Sequence, residues 1–80
     1  MKYIIKAYAS KLARPDYFEA EEENKDKTMS CLSDMGFIRI ECREIIKHDK
    51  QLEGVIKRCS LGSQAQRYNL QALYNYQDNT

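Results

Sequence analysis

Histidine occurs once in this sequence, at His48, and proline once, at Pro15; there are three glycines, and no apolar run approaches a membrane span. Each scarcity excludes something. Cys31, Cys42 and Cys59 lack the close ligand pairs of a structural zinc site, so no metal is expected. A cysteine nucleophile would need His48 beside it, and on a helix His48 and Cys59 lie about three turns apart. Three glycines do not make a phosphate-cradling loop, and neither GxGxxG nor GKS/T occurs. An odd cysteine count without a CxxC pair is a poor disulfide framework; reduced thiols acting as small core hydrophobes are expected. The amino terminus has no signal-length apolar core, so a cytoplasmic protein with no membrane association is expected. No catalytic residue, no metal and no cofactor is expected, and the chain is read as a non-enzyme.

What is present is a soluble, globular composition, 42% hydrophobic and 31% charged over 80 residues. That length holds one domain, residues 1–80, with 77–80 as a frayed tail. Thirteen basic against twelve acidic residues leave a net charge of +1, which argues against affinity won mainly by phosphate neutralisation. The charge is uneven along the chain. Lys2, Lys6, Lys11 and Arg14 precede any acid, whereas Asp16, Glu19, Glu21, Glu22 and Glu23 follow closely.

Lys2–Ser10 reads as a strand with Tyr3, Ile5, Ala7 and Ala9 on one face, Lys2, Lys6, Tyr8 and Ser10 on the other, and Ile4 as the exception. Arg14-Pro15-Asp16 is turn chemistry. Tyr17–Glu22 alternates again, Phe18 and Ala20 inward, Tyr17, Glu19 and Glu21 outward, which predicts a hairpin. Pairing would set Lys2 and Lys6 on the face of Glu19 and Glu21. Met29, Leu32 and Met35 predict a helix over Lys25–Met35, capped by Asn24 or Asp26 and ended by Gly36, with Glu22 and Glu23 at its start. Phe37–Arg43 alternates as a third strand, with Ile38, Ile40 and Cys42 inward. A near-heptad from Ile45 to Cys59 favours a helix over about Glu44–Cys59, with a hairpin turning at His48-Asp49 as the alternative. Gln64–Tyr76 fits either period, and its alternating tyrosines favour a closing strand. The expected fold is α+β: a small antiparallel sheet with a strand-strand-helix-strand core, packed against one or two helices.

Six tyrosines and a mixed-charge sheet face point to protein binding. The candidate contact residues are Tyr8, Tyr17, Phe37, Arg39 and Arg43 on one face, beside Glu19, Glu21 and Glu22, an arrangement suited to a basic groove on a protein partner. Direct DNA or RNA binding is the alternative: basic residues interleaved with aromatics can track a backbone and stack bases, although Glu19, Glu21 and Glu41 oppose it. A homodimer through an exposed sheet edge is a further possibility.

At KYIIKA, YFEAEEE, the following helix and FIRIE, the element order resembles that of small phage-encoded inhibitors, anti-CRISPR proteins among them. The resemblance covers residues 2–46 and is one of layout. It implies a non-enzymatic blocker of a host defence or nucleic-acid-processing complex, acting in the host cytoplasm, and assigns no individual residue a role.

Overall fold

Strand β1, Lys2–Tyr8, is the middle of a three-stranded antiparallel sheet in a computed structural model that describes residues 1–78. β2, Pro15–Glu21, and β3, Ile38–Glu44, flank it in the order β2-β1-β3. Helix α1, Glu22–Asp34, connects β2 to β3; α2, Lys50–Arg58, and α3, Gln64–Tyr76, follow. The fold is α+β.

Helices on opposite sides of the sheet explain why Ile4 is no exception to the burial of β1. Both faces of the strand are covered, so Ile4 and Ile5 are both fully buried. Ile5 and Ala7 join Phe18, Ala20 and Cys42 under Leu32 and Met29 of α1. Ile4 joins Tyr17 and Ile45 under Ile56 of α2 and Leu70, Leu73 and Tyr74 of α3. The face read as solvated therefore carries half of the core.

α1 begins at Glu22, three residues earlier than predicted, directly from the strand. Glu21 is its N-cap and makes no side-chain capping bond, so neither Asn24 nor Asp26 has that role. Glu22 and Glu23 occupy the first turn, where the helix dipole favours acids. At the other end Gly36 has φ +97°, its N–H donates to the Ser33 carbonyl at 3.0 Å, and the Phe37 N–H donates to the Leu32 carbonyl at 3.0 Å. That pair of bonds is a Schellman closure, and Leu32 and Phe37 pack in one cluster beneath it. Met35 and Cys31, read as core, are instead exposed.

β3 contains a bulge. The register pairs Lys6 with Glu41 and Tyr8 with Ile38, so two residues of β3 oppose one of β1. Arg39 lies at the bulge with φ +52°, in the left-handed region that non-glycine residues rarely enter. The extra residue resets the alternation. Phe37 packs with Ile40 and Cys42 on the α1 side, its ring edge-on to Phe18 at 5.8 Å.

The second half departs most from expectation. β3 continues to Glu44, and the Ile45 N–H donates to the Lys2 carbonyl at 2.9 Å, so no helix starts at 44. α2 starts after Asp49, whose carboxylate accepts from the Leu52 N–H at 3.1 Å. The segment favoured as a closing strand is helix α3, capped by the Ser63 hydroxyl, which accepts from the Gln66 N–H at 3.1 Å. Gln77, placed in the frayed tail by the sequence, holds the end of α3 to the chain after β3. Its Oε1 accepts from the Ile46 and Lys47 N–H groups at 3.0 and 2.9 Å, and its Nε2 donates to the Lys47 and Leu73 carbonyls. Asp78, placed in the same tail, pairs with Arg43; Asn79 and Thr80 lie outside the described residues. Among the described residues no helix is long and apolar enough to cross a membrane.

Candidate functional site

Five side chains from β1, β3 and α3 alternate cation and ring across the sheet face beneath α3. The Arg39 guanidinium carbon lies 5.7 Å from the Tyr8 ring centre. Lys6 Nζ lies 5.7 Å from Tyr8 and 5.6 Å from Tyr74, and the Arg43 guanidinium carbon is 4.1 Å from Tyr74. Tyr17 meets Tyr74 edge-on at 5.6 Å. Cations over ring faces are attracted by the ring quadrupole, by about 0.5–1 kcal/mol at exposed sites. Lys6 shares its strand face with Tyr8 by alternation, whereas Tyr74 has no sequence signal as a site residue, because it reaches the row only through the docking of α3.

The inner half of this row is structural. Tyr17 is 7% exposed and Tyr74 3%. Burial pushes the Tyr17 phenol up, with Tyr8 and Glu41 adding to it while Lys6 and Arg43 oppose it. Burial likewise raises the Tyr74 phenol; Arg43 and Lys6 counter this, and Glu41 reinforces it by charge and by hydrogen bond. The Tyr74 hydroxyl donates to Glu41 at 3.4 Å. Burial lowers the Lys6 ammonium, but its interactions with Tyr8, Tyr17 and Glu41 outweigh that and leave it raised. Arg43 is bound internally: Nη1 donates to the Tyr74 carbonyl at 3.1 Å and pairs with Asp78 at 2.6 Å.

The eight candidate contact residues are thus separated into groups. Tyr8, Arg39 and Arg43 share one face, Arg39 against Tyr8 and Arg43 against Tyr74. Tyr17 lies on the same face but in the core, contrary to its outward reading, because α3 covers it. Phe37 lies on the opposite face, because the bulge at Arg39 reverses its side. Glu19, Glu21 and Glu22 sit toward the other end of the sheet, where Lys2 Nζ approaches Glu19 at 3.5 Å, the cross-strand pairing anticipated. The acid and the base that adjoin in sequence separate along the strand axis.

What remains open is the hairpin end of the sheet. Tyr8, the β1–β2 connection and the bulged start of β3 meet there by register. Leu12 in the connection is 98% exposed, and Met35, just before Gly36, is 73% exposed. Arg39, Lys11 and Arg14 are exposed at the same end, and Arg39 has no carboxylate within ion-pair distance among the described residues. Elsewhere, His48 Nδ1 and Glu53 Oε1 lie 2.9 Å apart on the surface. Among the described residues no three His, Cys, Asp or Glu side chains converge as metal ligands would. No protein-family model matches this chain, nor does any curated protein or solved structure.

Proposed function

We propose that this chain is a non-enzymatic interaction protein that docks its hairpin end on an acidic surface of another protein. Arg39 carries the reading. A left-handed non-glycine residue costs about 1 kcal/mol or more, and bulges that hold such residues often re-aim a side chain at a working surface. Here the bulge lays an exposed guanidinium beside the Tyr8 ring, with exposed Leu12 and Met35 at the same end of the sheet. Arg, Tyr and Met are enriched at interface centres. Occupying a partner's surface makes the protein a blocker, and a host defence or nucleic-acid-processing complex is the class of target suggested by the element order.

Nucleic-acid binding is the second reading, supported by the interleaving of Lys6, Arg39 and Arg43 with Tyr8 and Tyr74. Two observations weigh against it. Tyr8 and Tyr74 both already face cations, and Glu41 and Asp78 lie within the row. The test is a photo-crosslinking residue at Leu12 in the cell that produces the protein. A specific protein adduct is expected that Arg39→Glu abolishes and Lys57→Glu leaves intact. Retardation of an oligonucleotide that falls steeply with salt, in the absence of such an adduct, would decide for nucleic acid instead.

A further inference from the structure

Three depressions run in series along the outer edge of β2. The first, of about 520 Å³, begins at Asp16 and Arg67. The second, of about 330 Å³, lies among Phe18, Leu70 and Leu61, the last 93% exposed. The third, of about 500 Å³, ends at Glu21 and Asn24. The first two share Tyr17 and Phe18, and the last two share Glu19 and Thr28, so the three form one trough bounded by α1 and the start of α3.

The edge of β2 that faces the trough carries backbone groups that β1 does not use. The Glu22 N–H donates to the Met1 carbonyl at 2.9 Å, and the register pairs Tyr3 with Ala20 and Ile5 with Phe18. Antiparallel pairing alternates, so the peptide groups of Tyr17 and Glu19 point away from β1 into the trough. Among the described residues, neither is used in a bond outside the sheet. A free strand edge is a template for one more strand.

We infer that this edge takes an extended peptide of a partner protein as a fourth strand, an apolar residue seated between Phe18 and Leu61 and lysine or arginine beside Glu19 and Glu21. Charge decides between occupants. Lys27 lines the third depression with Glu19 and Glu21, but among the described residues Glu21, Glu22 and Glu23 have no cation within ion-pair distance, and Glu19 has only Lys2. A second copy paired antiparallel over the full length of β2 would set Glu19 opposite a tyrosine and Glu21 opposite a proline, and so would bring these carboxylates no cation. A basic strand meets the same acids with the favourable sign. The site lies beyond the hairpin end and does not depend on the role given to Arg39.

The probe is a displayed library of randomised peptides of the length of β2, selected on the intact protein. Enriched peptides should combine lysine or arginine with a central apolar residue, and their binding should slow amide exchange at Tyr17 and Glu19. Thr28→Trp, which fills the middle of the trough, should weaken them by about tenfold or more, with circular dichroism confirming the fold. Glu19→Lys with Glu21→Lys should turn the selection toward acidic peptides, whereas Arg39→Glu should leave binding unchanged. No enrichment, enriched peptides indifferent to both trough variants, or dimerisation through β2 in place of peptide binding would each overturn the assignment.

Discussion

Arg39 and Arg43 stand on one strand and contribute in opposite ways, and substituting each by alanine separates a docking residue from a structural one. Arg43 lies 4.1 Å from the Tyr74 ring centre, donates to the Tyr74 carbonyl in the last turn of α3, and pairs with Asp78. The stacking contributes about 1 kcal/mol and the bond to a helix-terminal carbonyl about 1 kcal/mol. Asp78 is 63% exposed, so that ion pair adds at most about 0.5 kcal/mol. Arg43→Ala should therefore cost about 2 kcal/mol, which in a domain of this size lowers the melting temperature by about 8–16 °C. Arg39→Ala leaves the backbone strain in place and removes one exposed stacking contact, a loss of about 0.5 kcal/mol. Urea denaturation measures both, provided the slope is unchanged. The crosslinked adduct should show the reverse order, lost with Arg39→Ala while the fold survives. Equal stability losses, or a larger loss at Arg39, would refute the division between them.

Gln77→Ala should remove three hydrogen bonds between the end of α3 and residues 46–47 and a fourth to the Leu73 carbonyl within α3, costing about 2 kcal/mol by thermal denaturation. Gly36→Ala should cost about 1 kcal/mol or more, read from the urea midpoint, because φ +97° crowds a Cβ against its own backbone while nothing else lies nearby. Tyr17, Tyr74 and Lys6 all hold their protons more tightly when folded. Above about pH 10 the unfolded chain binds fewer protons than the native one, so their contribution is present below that range and lost as pH rises through the folded values. Unfolding should accompany tyrosinate absorbance in an alkaline titration; a fold whose phenols ionise at their ordinary pH without loss of stability would contradict it.

The first 44 residues were legible because their signals are local. The β1–β2 hairpin follows from Pro15 and the alternation on either side of it, and Gly36 from its place after the last apolar turn. Even there, Phe37 was assigned to the wrong face, because one residue entering a left-handed conformation shifts everything before it to the other side. Of the candidate site, Tyr8, Arg39 and Arg43 could be grouped by strand alternation alone. Lys6 shares the face of Tyr8 by the same alternation, but Tyr74 needed α3 to arrive from thirty or more residues away. The start of α3 did have a signal, Ser63-x-x-Gln66, the spacing of a capping box, and Leu70, Leu73 and Tyr74 share a helical face. The alternating tyrosines masked it: Tyr68 and Tyr76 prove to be solvent-exposed members of a helix.

By itself the sequence determined the α+β class, the hairpin, the acids at the start of α1 and its glycine stop. These depend on interactions between residues a few positions apart, which composition and period record. Tertiary structure alone decided that the face opposite α1 is half core, that Tyr17 is buried, that Arg39 sits at a bulge, and that the acidic block borders an open edge. A residue alternating toward that face is solvated or buried according to what docks on it, and that docking is a long-range event that no local spacing encodes.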